Sequence, residues 1–242
     1  MRYKITLCYN GSAFCGWQVQ SNAPSVQETL QNALSTLLGD AVEVVGAGRT
    51  DTGVHASRYV AHFDSNAVFE PERICYKLNA ILPKEVAVFD IVRVPDDFHA
   101  RFSAKSRQYK YYIHSRKDPF RDGFSWYCRY MIDVDRMNEA CRLLLGTHDC
   151  SCFEKTGSDN ATSICSISYA RWEKTDDDSL VFTIEANRFL RNMVRAIVGT
   201  LVDIGRGVNP PEHIAELLEK GTRSDAGQSV PGHALFLSDI RY

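Results

Sequence analysis

Long apolar runs are absent from this 242-residue sequence. No stretch reaches about 18 consecutive apolar residues, the length that a membrane-spanning helix needs, so the sequence predicts no membrane partner. The N-terminus, MRYKITL, alternates apolar and polar residues, whereas a secretory signal places an apolar stretch after a basic region. We therefore expect a soluble protein in the cytoplasm.

A zinc-binding pattern of the usual spacing is also missing, although the chain has eight cysteines. Four residues could be assembled into a ligand set, namely His148, Cys150, Cys152 and Cys165. Their H-x-C-x-C spacing is tighter than the usual C-x2-C, and no second pair follows. Disulfides are not expected either, because cytoplasmic thiols stay reduced. The sequence favours small buried or loop thiols, and we expect no metal ion.

Charge of one sign is not in excess, because 28 Lys and Arg face 30 Asp and Glu, which gives a net charge of −2. The overall charge therefore does not suggest a nucleic-acid partner. Residues 101–117 differ, since they carry cations and no acid: Arg101, Lys105, Arg107, Lys110, Arg116 and Lys117. Such a basic stripe on a neutral protein can follow the phosphates of a nucleic acid.

Aromatic residues alternate with these cations in FHARFSAKSRQYKYYIHS, residues 98–115. This pattern suits a surface that stacks bases while it holds the phosphate backbone. On a strand that begins at Gln108, Tyr109 and Tyr111 would share one face. A tyrosine-rich strand that packs on the core shows the same pattern, so both interpretations stay open.

Strand and helix patterns follow one another in both halves of the chain. The predicted strands are residues 3–9, 42–45, 58–63, 86–94, 108–115, 164–173, 180–187 and 234–241. The predicted helices are residues 26–38, with the capping box SVQE before it and Gly39 after it, 71–82, 135–145, a long helix from about Phe189, and 211–220.

This order predicts an α+β fold made of two ferredoxin-like, or RRM-like, halves. We expect the halves to be residues 1–104 and 105–242, with the boundary near residues 98–106. Their sheets would join side by side into one extended mixed or antiparallel sheet, with the helices packed on one side. The N-terminal half would carry the glycine-rich turn described next, and the C-terminal half the tyrosine strand and an arginine-bearing helix.

The segment GAGRTDTGVHA, residues 46–56, is a glycine-rich turn that carries both an arginine and an aspartate. Glycine permits the close backbone approach and the positive φ angles of a tight turn. The segment lacks the G-K-[ST] ending of a P-loop, and Asp51 would repel a phosphate, so no nucleotide cofactor is expected. An aspartate alone in a turn is most often a local hydrogen-bond acceptor. Arg49, however, can pair with a carboxylate or a phosphate.

A second group of arginines lies in NRFLRNMVRAIVG, residues 187–199. Arg188, Arg191 and Arg195 are three and four residues apart, which would place them on one side near the start of the long helix. Solvated helix faces have the same pattern. Arg195, however, lies between apolar residues and is predicted to be partly buried. A partly buried arginine needs an anion, for which Asp51 is the candidate.

Five blocks of the sequence resemble the tRNA pseudouridine synthase A family: YNGSAFCGWQVQSNAPSVQETL, GAGRTDTGVHA, LNAILPKEVAV, FHARFSAKSRQYKYYIHS and NRFLRNMVRAIVGTLVDIGRG. Three positions depart from the family's usual residues, namely Asn10 in place of aspartate, Cys165 in place of arginine, and Ala234 in place of glycine. None of the three falls on the residues to which the family's chemistry maps.

The resemblance implies an enzyme that detaches uracil from its ribose, turns it and rejoins it through C5, without cofactor or metal. It implies that Asp51 is the nucleophile, that Tyr109 packs on the target uracil, and that Arg195 is the ion-pair partner of Asp51. Arg49 would enter the space that the flipped uridine leaves. The other expected RNA contacts are Arg101, Lys105, Arg107, Arg188 and Arg191.

The resemblance also implies that the substrate is the anticodon stem-loop of tRNA, at positions 38 to 40, and that the protein is a homodimer in which one tRNA lies across both subunits. The sequence leaves two alternatives open. The same chemistry could act on ribosomal or another RNA, or the chain could be an RNA-binding module or chaperone that has lost catalysis. Attack at uracil C6 or at ribose C1′, and the identity of the base that removes the C5 proton, also stay open.

Overall fold

The computed structural model describes residues 1–158 and 160–242. The chain divides into two units by its internal contacts. Unit 1 comprises Met1–Lys105 and Phe236–Tyr242, and unit 2 comprises Ser106–Leu235. Each unit combines β-strands with α-helices, so the predicted α+β class is confirmed. No helix of the described part of the chain is both long and apolar enough to cross a membrane.

Unit 1 is built on a sheet in the order β4-β1-β3-β10, and β2 pairs with β3 beside it. Its strands are β1 (Arg2–Tyr9), β2 (Val44–Gly46), β3 (His55–Asp64), β4 (Val86–Val94) and the last strand of the chain, β10 (Leu235–Arg241). Strand β1 pairs antiparallel with β3 and β4, whereas β10 runs parallel to β3. Two helices complete the unit, α1 (Val26–Leu38) and α2 (Pro71–Ile81).

Helix α1 shows why the sequence predicted these elements well. The Ser25 hydroxyl accepts a hydrogen bond from the Glu28 N–H, which satisfies an amide that has no partner inside the helix. Gly39 ends the helix in the left-handed conformation at φ 78°, which costs glycine little. The apolar face between these two residues is buried. The capping serine, the apolar face and the terminating glycine are all signals that act within a few residues of the helix. The predicted bounds of α1 therefore agree with the structure.

Unit 2 has an antiparallel sheet in the order β5-β9-β8-β7, with β6 paired parallel to β5. Its strands are β5 (Ser106–His114), β6 (Trp126–Tyr127), β7 (Gly146–Asp149), β8 (Ile164–Lys174) and β9 (Leu180–Ala186). Its helices are α3 (Val134–Leu143), α4 (Met193–Gly205) and α5 (His213–Lys220). Strands β6 and β7 were not predicted, because they are short and show no alternation of apolar and polar residues.

The predicted start of the long helix is wrong by four residues. Helix α4 begins at Met193, because Asn192 has φ 66° and ψ 0°, a left-handed conformation that an α-helix cannot pass through. Arg188 and Arg191 therefore precede the helix. The prediction that they share one helix side with Arg195 is also wrong, since the three-and-four spacing has meaning only inside a helix.

Candidate active site

The segment between β2 and β3 forms a tight turn around Asp51. The Asp51 carbonyl accepts a hydrogen bond from the Val54 N–H at 3.1 Å, and Gly53 has φ 76°. The Gly53 N–H is directed at the Phe14 carbonyl at 3.4 Å. The chain therefore reverses direction over two residues, and Asp51 is the first residue of this turn.

A second loop, residues 11–17, packs directly on the main chain of this turn. The Trp17 N–H donates to the Thr50 carbonyl at 3.3 Å. A Cβ atom on Gly16 would lie 2.3 Å from the Thr50 carbonyl oxygen, and one on Gly11 would lie 2.1 Å from that of Val54. Real Cβ contacts are never this short, so only glycine lets the two backbones approach each other at these positions.

Aromatic side chains make further contacts at this turn. Trp17 stacks on Tyr59 with ring centroids 4.1 Å apart, and the Tyr9 hydroxyl is 2.9 Å from the Thr50 hydroxyl in a buried hydrogen bond. The Tyr59 hydroxyl donates to the Gly48 carbonyl and is 3.3 Å from the Gly48 N–H. We call Tyr9, Trp17 and Tyr59 the aromatic support. The chain is thus held both before Asp51, at Gly48 and Thr50, and after it, at Val54.

The side chains that the sequence predicted for unit 1 differ in exposure. Asp51 is half-buried, whereas Arg49, Arg101 and Lys105 are exposed. The Arg101 guanidinium lies over the ring of Phe102 at 5.5 Å, which is a cation–π geometry on the surface. The turn therefore carries a half-buried aspartate and, two residues before it, an exposed arginine.

Unit 2 carries the two predicted tyrosines on β5, and their surroundings differ. Tyr109 is half-buried and meets the edge of Phe189 in a T-shaped contact, with ring centroids 5.1 Å apart. Tyr111 is fully buried, and its hydroxyl donates to the Pro231 carbonyl at 3.0 Å. Burial raises the pKa of Tyr111 above its ordinary range, and the charge of Arg195 opposes this effect. Tyr111 is therefore a residue of the core, whereas part of the Tyr109 side chain is accessible to solvent.

Arg195 is half-buried in the first turn of α4 and is fixed to the chain segment around Val230. Its Nε–H donates to the Val230 carbonyl at 2.7 Å, and the Val230 N–H points at the Arg195 carbonyl at 3.3 Å. The first contact holds the guanidinium at Nε, and the second holds the main chain of Arg195 against the same segment. A hydrogen bond at Nε is charge-assisted and stronger than a neutral one.

The other three cations predicted in unit 2 lie outside α4. The Arg107 guanidinium donates to the Asn187 carbonyl at 2.8 Å. Arg188 is half-buried, and Arg191 is exposed, with its carbonyl accepting from the Lys155 N–H at 3.0 Å. The structure therefore does not make Arg188, Arg191 and Arg195 one helical surface. It places the first two on an extended and turning segment before the helix.

The cysteines considered for zinc lie in the core of unit 2, whereas His148 is half-buried. Cys150, Cys152 and Cys165 are buried free thiols, and the His148 ring Nε2 lies 2.9 Å from the Leu145 carbonyl. Burial raises the pKa of Cys152 to about 11, whereas the hydrogen bond from Cys150 lowers the pKa of Cys165. Across the described residues, no group of three or more His, Cys, Asp or Glu side chains is arranged to hold a metal ion.

Sequence reasoning missed the residues that hold the turn and the arginine. The aromatic support and Val230 have no motif of their own, and their partners are distant in sequence. The glycines at positions 11, 16 and 46 carried the only readable signal, because a Cβ at each would overlap a neighbouring group.

Comparison with known proteins gives a consistent result over nearly the whole chain. The family described as tRNA pseudouridine synthase matches residues 7–103 and 140–242. Tyr109 lies outside both matched ranges. The chain is 49% identical to tRNA pseudouridine synthase A of Bacteroides thetaiotaomicron, covering 100% of this chain and 90% of that protein. It is 47% identical to the protein of the same name in Parabacteroides distasonis, with 100% and 96% covered, and 39% identical to that of Bacillus subtilis, with 100% and 99% covered.

Proposed function

The chain belongs to the tRNA pseudouridine synthase family, and from this membership we infer that it is an isomerase that converts uridine to pseudouridine in tRNA. The reaction breaks the bond between N1 of uracil and C1′ of ribose and forms a bond between C5 and C1′. The C5 proton leaves, and N1 takes up a proton, so product and substrate have the same composition.

Asp51 supplies the nucleophile in this proposal. The observation that carries the assignment is the geometry of its turn, in which the backbone on both sides of the carboxylate is fixed by glycine contacts and by the aromatic support. A fixed, half-buried carboxylate attacks without first losing a full hydration shell. Attack at uracil C6 and attack at ribose C1′ both fit, and in each the bond to Asp51 is broken again before product leaves.

Arg195 supplies the positive charge that accompanies Asp51, as the resemblance implies. Its support is the anchored guanidinium, whose Nε–H is bound to the Val230 carbonyl at 2.7 Å. An arginine held in this way needs little further ordering to meet an anion. The pairing of Arg195 with Asp51 is part of the proposal.

Tyr109 is proposed to stack on the target uracil. The target base must leave its stack in the RNA, which costs about a few kcal/mol, and stacking on an aromatic ring offsets part of this cost. The contact with Phe189 holds the Tyr109 ring while leaving it half-buried. Arg49 is proposed to occupy the space from which the uridine has flipped, and its exposure on the turn is compatible with this role.

The remaining predicted cations are proposed to contact the phosphates of the RNA. Arg101, Lys105 and Arg191 are exposed, as such contacts require, and Arg107 and Arg188 are half-buried. Phosphate contacts position the RNA and make its affinity depend on salt. We propose positions 38 to 40 of the anticodon stem-loop as the target, a homodimer as the active assembly, and the cytoplasm as its location. A monomeric mass by light scattering in the presence of tRNA would overturn the homodimer.

The test is a map of pseudouridine in total tRNA and rRNA from cells that lack the gene and are complemented with variants. The wild-type chain should restore pseudouridine at tRNA positions 38 to 40, and Asp51→Asn, which removes only the charge, should not. Asp40→Asn, at an exposed aspartate of the same unit, is the matched control and should restore it. The Asp51→Asn protein should still bind tRNA, because phosphate contacts supply most of the affinity.

Three results would contradict this proposal at different levels. Modification by Asp51→Asn would remove Asp51 from the chemistry. Restoration confined to rRNA would keep the chemistry and replace the substrate. Normal tRNA in cells without the gene, together with tRNA binding by the purified protein, would favour a binding module or chaperone.

A further inference from the structure

Arg195 is connected by polar contacts to residues that have no part in the reaction described above. The segment of residues 226–231 lies against α4, and three of its consecutive members are each bound by a side chain from elsewhere in unit 2. Ser229 is bound by Asn192 and Arg223, Val230 by Arg195, and Pro231 by Tyr111.

Ser229 is the central contact of this chain. Its hydroxyl oxygen accepts from the Asn192 amide at 2.6 Å and from the Arg223 guanidinium at 2.7 Å, which fits the two lone pairs of a hydroxyl. Arg223 also donates to the Gly227 carbonyl at 3.1 Å. The Arg223 guanidinium therefore binds neutral oxygens of this segment, and these hydrogen bonds order the backbone of the segment.

Asn192 provides a second, independent observation. It is one of two non-glycine residues with positive φ in the described part of the chain, and it stands directly before α4. Its side chain does not cap the helix, as an asparagine before a helix often does, and instead reaches Ser229. A strained backbone position is thus occupied by a residue whose side chain is used to hold the 226–231 segment.

Close packing brings the same segment against α4. A Cβ atom on Gly199 would lie 1.9 Å from the Gln228 carbonyl oxygen, and the Gly227 N–H donates to the Thr200 hydroxyl at 2.9 Å. The Val230 carbonyl, to which the Arg195 Nε is bound, therefore has a position fixed on both sides, by α4 and by Ser229. A long arginine side chain has many rotamers, and binding it midway along its length selects one of them.

We propose that Ser229, Asn192 and Arg223 are positioning residues that act on the reaction only through the orientation of Arg195. This inference rests on the proposed role of Arg195. Loss of their contacts should slow the chemical step and leave tRNA affinity unchanged, because none of the three is among the residues proposed to touch RNA.

The experiment measures single-turnover pseudouridine formation with saturating enzyme, tRNA binding, and thermal unfolding. For Ser229→Ala we expect a rate loss of about tenfold, because small misplacements of a catalytic group cost factors of this size, with the dissociation constant for tRNA within about twofold of the wild type. Ser229→Thr, which keeps the hydroxyl, should recover most of the rate. Arg223→Met should resemble Ser229→Ala, and Arg171→Met, at an exposed arginine of β8, is the matched control.

Epistasis separates positioning from general stability. In an Arg195→Lys background, which lacks the Nε–H, Ser229→Ala should cause no further rate loss. Equal and independent losses in the two backgrounds would overturn the inference, as would a wild-type rate for Ser229→Ala. Should Ser229→Ala fail to fold, Asn192→Gly replaces it, because glycine adopts the same positive φ and lacks the side chain that reaches Ser229.

The outcomes also separate this inference from the proposed function. A wild-type rate for Arg195→Lys would overturn this inference, because orientation through Nε would then not matter, and it would leave the proposed isomerase function in place. A wild-type rate for Arg195→Met, which removes the charge, would overturn the proposed role of Arg195 itself. A slow Arg195→Lys enzyme with a fast Ser229→Ala enzyme would overturn only the positioning network.

Discussion

The Asp51 turn of unit 1 and the Arg195 region of unit 2 are held in place by different means. The turn is fixed through its main chain, by glycines that admit neighbouring carbonyl groups and by aromatic rings. Arg195 is fixed through its side chain, by a bond at Nε to a segment that polar side chains order in turn.

The difference follows from the length of the two functional side chains. An aspartate has two rotatable bonds, so a fixed backbone nearly fixes its carboxylate, and the surrounding structure acts on the backbone. An arginine has several, so a fixed backbone leaves its guanidinium undefined, and the structure must hold the side chain itself. Substitutions in the backbone contacts of the turn should therefore cause large losses of stability and rate, whereas substitutions that affect the Arg195 side chain should cause smaller losses of rate.

The largest expected effect tests the backbone contacts of the turn. Gly16→Ala adds a Cβ 2.3 Å from the Thr50 carbonyl oxygen at a residue with φ 92°. We expect a loss of about 3 kcal/mol or more in the free energy of unfolding, because overlap and left-handed strain add. Any folded fraction should be at least about 100-fold slower, since the turn must shift. Denaturant unfolding and single-turnover assays measure both.

Gly48→Ala is the control for this prediction, because a Cβ at Gly48 meets nothing within 4 Å. It should retain stability within about 1 kcal/mol. A tolerated Gly16→Ala would break the comparison, since the turn would then adapt as gradually as the Arg195 region is expected to.

The next effect in size is the dependence of the stability of unit 1 on acidic pH. His62, on β3 opposite Val45 of β2, is 3% exposed, and its Nδ1 accepts from the Ala100 N–H at 3.1 Å. Burial above all, then the charges of Arg2 and His99, lowers the pKa of His62 to about 4 from 6.5. The unfolded chain thus binds the proton more readily, so this contribution to stability is complete above pH 6.5 and is lost as pH falls toward 4.

The expected loss over that window is about 1 to 3 kcal/mol in the free energy of unfolding. His62→Asn keeps an acceptor near the Ala100 amide and removes the titration, so it should flatten the pH dependence. The flattening should be partial, because the pKa of the buried His114 of unit 2 is also lowered, chiefly by burial. Amide exchange of β2 and β3 should rise in acid before that of the first turn of α4. An equal rise in both would remove the contrast between the regions.

The smallest expected effect compares one chemical change in the two regions. Tyr59→Phe removes the hydroxyl bound to Gly48, and Tyr111→Phe removes the hydroxyl bound to Pro231. Each should cost about 1 kcal/mol of stability, or about 2–4 °C in the unfolding midpoint. Tyr111→Phe should also slow the reaction a few-fold. Pro231 follows Val230, whose carbonyl holds the Arg195 guanidinium, so a shift of Pro231 should disturb the orientation of Arg195. A wild-type rate for Tyr111→Phe would show that the 226–231 segment does not depend on this contact.

Local signals in the sequence determined the class of the fold, most strands and helices, and the site candidates. Strand β4 has the predicted bounds, and α1 begins and ends at its predicted residues, since alternation, capping and glycine act within a few residues. Tertiary structure decided where α4 begins, because the left-handed Asn192 is tied to Ser229, 37 residues away. It also decided which tyrosine of β5 is buried and what holds Asp51 and Arg195. Such contacts join residues distant in the chain, so no local pattern records them.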